Sequence, residues 1–76
     1  MGKSDGRITN RIRVLRFERG EMTQQELADR AGVTRQTINA IEGGKYSPSL
    51  EVAFRIARIL DTPIDAVFQY GEQKEP

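Results

Sequence analysis

The sequence predicts an all-α domain of five short helices. Three observations carry that expectation. Apolar residues recur at helical spacing from end to end, and no alternating run is long enough for a strand. Threonines at positions 23 and 34 are placed to cap two successive helices, with Gly32 between them. The chain is 76 residues long, enough for one small core and no more.

Residues 1–7 form a polar leader without the apolar stretch of a signal peptide. The folded domain is expected over residues 8–70. The first helix is expected from Thr9 or Asn10 to Arg19. Ile12 and Leu15 face inward, Ile8 lies one turn earlier, and Gly20 ends the helix. The second helix opens on Thr23-Gln24-Gln25-Glu26, a capping box in which hydroxyl and carboxylate satisfy each other's amides. Met22 and Leu27 fit a hydrophobic staple across that cap. The helix runs to Ala31, and Gly32 suits the left-handed residue that stops it.

The third helix follows at once, with Thr34 as cap and Val33 and Ile38 as a second staple. Two helices joined by a tight glycine corner are the helix-turn-helix layout. The third helix ends at Gly43-Gly44. A loop leads to the fourth, capped by Ser47 or Ser49 with Pro48 close to its first position. Leu50, Ala53, Ile56, Ala57 and Leu60 form its inward face. Thr62 is the expected cap of a short fifth helix, with Pro63 at its first position and Asp65 at its third. Ile64, Val67 and Phe68 close the core. Residues 71–76 carry no core-forming side chain and are expected to form a frayed tail.

Composition removes whole classes of chemistry. The chain has no cysteine and no histidine. Disulfides, zinc fingers, thiol nucleophiles and imidazole bases are therefore out of reach. There is no phosphate-binding glycine loop, and Ser47 and Ser49 have no base partner, so no enzyme, cofactor or small-molecule ligand is expected. No apolar run approaches the ~20 residues of a membrane helix. A cytoplasmic protein fits these exclusions. Net charge is +1, but residues 7–19 carry +4 and residues 61–76 carry −3. One end is thus suited to face phosphates, although two solvated faces would look the same.

The third helix concentrates the remaining chemistry. At 100° per residue, Thr34, Ile38 and Ile41 fall on one side and form its expected buried face. Gln36, Asn39, Ala40 and Gly43 project from the other, with Arg35 on the flank. A guanidinium, two amides and a methyl match base edges in the major groove of double-stranded DNA: Arg with guanine, Gln or Asn with adenine, Ala with the thymine methyl. Any solvent-facing helix can carry such residues by chance. The capped corner before this one favours base reading. Gln24 opens the second helix, where amides and the positive dipole end favour a phosphate. Thr34, Gly44 and Lys45 are further phosphate candidates, against simple roles as cap, helix stop and solvated loop. Arg16 and Glu42 both fall toward buried faces, where a lone charge is costly. They are expected to pair across the first and third helices, with Arg16 also near a phosphate.

Thr23-Gln24-Gln25-Glu26-Leu27-Ala28, Gly32-Val33-Thr34-Arg35-Gln36-Thr37-Ile38, Ile41-Glu42-Gly43-Gly44-Lys45 and Pro48-Ser49-Leu50 together resemble the Cro/XRE-like helix-turn-helix family of phage repressors and bacterial regulators. The resemblance spans residues 8–70 and is greatest to the short single-domain bacterial and archaeal members. It implies a five-helix, lambda-repressor-like domain that binds palindromic operators as a homodimer and acts as a transcriptional repressor or activator. It implies phosphate contact by Gln24, base reading by Arg35, Gln36, Asn39 and Ala40, and an Arg16–Glu42 ion pair. Gly43 stands where many members carry Asn, Lys or Arg, and Asp61-Thr62-Pro63 replaces a common glycine turn.

A single short recognition helix reads few base pairs, which itself argues for a homodimer. Phe54, Ile59, Phe68 and Tyr70 are the expected interface. The same apolar surface would equally complete the core. A competing reading makes the domain a protein-interaction module that engages a partner through Val14, Phe17 or the surface of the fourth and fifth helices.

Overall fold

The computed structural model describes residues 8–71. The leader at 1–7 and all of the expected tail beyond Gly71 lie outside the described residues. Seven elements follow in chain order: β1 (Ile8–Asn10), α1 (Ile12–Glu18), α2 (Gln24–Ala31), α3 (Arg35–Glu42), α4 (Leu50–Ile59), α5 (Ile64–Val67) and β2 (Phe68–Tyr70). The five helices match the expected number and order.

The strands correct the all-α expectation. β1 and β2 pair antiparallel, with Ile8 opposite Tyr70, Thr9 opposite Gln69 and Asn10 opposite Phe68. Three residues per strand are too few to show a two-residue period. Their pairing is non-local and leaves no local trace, although Ile, Thr, Phe and Tyr all suit a pleated surface. The ribbon also shortens α1. Ile8 is on a strand, and the helix starts at Ile12. The Asn10 side chain manages the junction. Its Oδ1 accepts from the Ile12 amide at 3.1 Å and its Nδ2 donates to the Ile41 carbonyl at 2.9 Å.

α2 packs against both α3 and α4. Ile12, Leu27, Ile38, Ile56, Leu60 and Val67 are wholly buried between the helices. Each such side chain contributes roughly 1.5–3 kcal/mol by leaving water. Met22 and Leu27 both join this core, as the staple requires.

The helix ends follow local chemistry. Thr23 Oγ1 accepts from the Glu26 amide at 3.0 Å, and Glu26 Oε1 accepts from the Thr23 amide at 2.8 Å, completing the capping box. Gly32 ends α2 at φ 77°. A Cβ there would also meet Arg55 Nη1 at 3.1 Å, where that guanidinium donates to the Ala31 carbonyl. The positive φ selects glycine at the corner, and a Cβ would in addition press on that guanidinium.

At α4 and α5 one local expectation is narrowed and two fail. Ser49, not Ser47, caps α4, which moves Pro48 outside the helix. Leu50 then becomes the first helical residue and is 70% exposed, not part of the inward face. Thr62 does not cap α5. Its hydroxyl donates back to the Leu60 carbonyl at 2.8 Å, and Pro63 precedes the first helical residue.

Candidate nucleic-acid interface

α3 is mounted by its inner face. Ile38 and Ile41 are buried, and Thr34 lies at the exposed N-terminal end, against the expectation that it joins them. Its position follows from its task. As the cap it has left the helical spiral, and its Oγ1 accepts from the Thr37 amide at 3.1 Å. Thr34 and Thr37 hydroxyls also share a hydrogen bond of 2.9 Å.

The outer face carries Arg35, Gln36 and Asn39, all exposed, with Ala40 half-buried beside them and Gly43 exposed at the end. These side chains stand on a helix whose both ends are closed. At the C-terminal end, the Gly44 amide donates to the Ile41 carbonyl at 3.0 Å and the Lys45 amide to the Ala40 carbonyl at 2.9 Å. Gly44 sits at φ 75°, and nothing lies within 4 Å of where its Cβ would be. This is a Schellman stop, and it explains the glycine by conformation alone. Both backbone donors are used inside the chain. What this loop can offer a phosphate is the Lys45 ammonium, which is exposed.

Arg16 and Glu42 come together at the foot of α3. Arg16 Nε donates to Glu42 Oε2 at 2.6 Å and Nη2 to Oε1 at 3.1 Å. Their side chains are only 12% and 9% exposed. Arg16 Nη1 donates to the Met22 carbonyl at 2.7 Å, so the same guanidinium also fixes the chain just ahead of α2. Three of its five N–H donors are engaged within the protein, so Arg16 is first a structural residue, although it also lines the cleft beside α3.

Arg13 is better placed, one turn earlier on α1. Arg13 and Lys45 flank an open cleft of about 560 Å³ that takes in Gln24, Asn39, Ala40 and Gly43. In the sequence Arg13 is one charge of the basic segment 7–19, with no role of its own. Its spacing from Arg16 was the available signal, since residues three apart share a helix face. Among the described residues, Arg13, Arg35 and Lys45 have no acidic partner. The cleft therefore presents uncancelled positive charge beside the exposed amides of α3. Gln24 reaches into the same cleft and donates through Nε2 to Asn39 Oδ1 and to Glu42 Oε1, each at 3.2 Å.

The four expected interface residues divide. Ile59 and Phe68 are partly buried and pack on the core. Phe54 and Tyr70 are 50% and 73% exposed. Val14 and Phe17 are likewise exposed, on the side of α1 away from the core.

Comparison with known proteins adds the family. A helix-turn-helix family model of the Cro/C1 type matches residues 15–67, most of the chain. The chain belongs to that helix-turn-helix family. Among its relatives is an uncharacterised helix-turn-helix-type transcriptional regulator of Archaeoglobus fulgidus. It is 45% identical over 65 residues, spanning 84% of this chain and 92% of the relative. The transcriptional repressor RstR of a cryptic CTXphi phage in Vibrio cholerae is 39% identical over 57 residues, 75% of this chain and 50% of that one. Among solved structures, a Bacteroides fragilis protein to which DNA binding is ascribed superposes with a TM-score of 0.72 at 27% identity. The match covers 82% of this chain and 98% of that one. Helix-turn-helix membership thus rests on sequence and on fold together.

Proposed function

We propose that the protein is a DNA-binding transcription regulator that acts as a homodimeric repressor and reads the major groove with α3. On this reading α2 and α3 form the helix-turn-helix, and Arg35, Gln36, Asn39 and Ala40 meet base edges. The observation that carries it is the outer face of α3. Its Arg35, Gln36 and Asn39 side chains are exposed on a helix locked at both ends, beside the unpaired charges of Arg13 and Lys45. A helix already held in place loses less freedom on docking, which favours recognition over loose attraction. Arg13 and Lys45 supply phosphate contacts, which set register without carrying sequence information.

Relatives named as regulators and, in one case, as a phage repressor support regulation and its direction. Of the expected interface, Phe54 and Tyr70 are exposed, and Phe54 offers its ring to a second copy. A DNA-associated protein of the cytoplasm fits this reading. No helix among the described residues is long and apolar enough to cross a membrane. The exposed pair Val14 and Phe17 favours one other reading, a module that binds a protein through α1.

Salt separates the two readings. Duplex binding followed by anisotropy should fall steeply as salt rises, because counterions return to the phosphates. Binding that is insensitive to salt, or absent at low salt, would turn the assignment toward the α1 surface. Light scattering at tens of micromolar, with and without duplex, tests the dimer.

A further inference from the structure

Resting on the reading of α3 as the base-reading helix, we infer that Gln24 is a positioning residue that holds Asn39 as a hydrogen-bond donor toward the groove. A chain of contacts runs outward from the Arg16–Glu42 pair. Glu42 is paired with the Arg16 guanidinium and can only accept. Gln24 must therefore turn its NH₂ group, not its oxygen, toward Glu42 Oε1, 3.2 Å away. That same NH₂ group is 3.2 Å from Asn39. An NH₂ group only donates, so Asn39 must present its Oδ1 to Gln24. One end of the Asn39 amide is then taken, and its Nδ2 is the end left to face outward from an exposed residue.

The polarity of the outer face is thus set by an ion pair beneath it. Two consequences follow. Asn39 turns its Nδ2 donors outward while Gln24 occupies one lone pair of Oδ1, so it best suits an acceptor edge such as guanine N7 and O6. The donor-plus-acceptor edge of adenine would have to share the same Oδ1 with Gln24, through its second lone pair. Gln24, meanwhile, has both of its N–H groups committed inside the protein. Its remaining polar atom is a carbonyl oxygen, which a phosphate repels. The side chain of Gln24 therefore serves α3 and not the DNA backbone.

Two measurements decide this. The first needs no DNA. Side-chain amide relaxation in the ¹⁵N-labelled protein should show the Asn39 NH₂ group ordered to a degree comparable with Asn10, which is held by two hydrogen bonds. Gln24→Ala should loosen Asn39 and leave Asn10 unchanged. Gln24→Met, which keeps the stem and removes the amide, should do the same. An Asn39 amide already mobile in the wild type, or indifferent to either substitution, would overturn the proposal.

The second is selection from randomised duplexes with wild type, Asn39→Ala and Gln24→Ala. Asn39→Ala identifies the base pair it touches, which should be one presenting guanine acceptors. Gln24→Ala should weaken preference at that same pair by roughly 2- to 10-fold, the range of one neutral hydrogen bond, and spare the others. Uniform loss on all sequences with a shallower salt dependence would instead make Gln24 a phosphate contact. Asn39→Ala with no effect at any base pair would also overturn the proposal. Failure of the wild type to enrich any sequence would count against DNA reading as a whole, and the relaxation measurement would still decide the role of Gln24.

Discussion

The two faces of α3 are made of different chemistry and answer to different demands. Inward, Ile38 and Ile41 are sealed in the core, and Glu42 is gripped by Arg16. Outward, one turn away, Arg35 and Gln36 have no hydrogen-bond or ion-pair partner among the described residues, and Asn39 is held by Gln24. The inner face decides whether the helix stays in place, and the outer face decides what it meets. Changes on the inner face should therefore move stability, and changes on the outer face should move selectivity alone.

The largest expected effect tests the inner face. Arg16→Ala or Glu42→Ala leaves a nearly buried charge without its partner and should cost roughly 3–5 kcal/mol in denaturant unfolding. A double-mutant cycle should show strong coupling between them, because the double variant strands no charge. Additive losses would mean that the contact is incidental.

Gln36→Ala tests the outer face. It should leave stability within about 0.5 kcal/mol and remove about 1–3 kcal/mol of discrimination between bases at one operator position. A large stability loss would erase the distinction between the faces.

Thr34→Ala sharpens the boundary. Thr34 is exposed like the readers, yet it caps α3. The loss should be about 1 kcal/mol of stability with base preferences intact. The smallest effect lies at the other corner. Asp61 holds φ 53° at the end of α4, a conformation that glycine adopts freely. Asp61→Gly should raise stability by about 0.5 kcal/mol, net of the exposed contact with Arg19.

The same contrast explains what could be seen in the sequence. The corner between α2 and α3 was legible because each device is local. Thr23 and Glu26, Gly32, and Thr34 sit within a few residues of the atoms they serve. The corner between α4 and α5 was misread because Asp61 occupies a position where glycine is the usual signal, and Thr62 bonds backward instead of capping. The β1–β2 pair joins segments at opposite ends of the domain, so no window of sequence contains it. At the site, the Arg16–Glu42 contact followed from the cost of two charges on buried faces. The bonds of Gln24 and Asn10 did not, because an amide can find a partner almost anywhere. Only the packing of α2 and β1 against α3 selects one.

The central claim is that the outer face of α3 reads DNA sequence. Its most direct test is selection of bound sites from randomised duplexes at about 100–150 mM salt, where phosphate attraction alone is weakened, with wild type and Gln36→Ala in parallel. The wild type should enrich a palindrome that Gln36→Ala relaxes at one position in each half-site. No enrichment by the wild type, or a palindrome indifferent to Gln36→Ala, would contradict it.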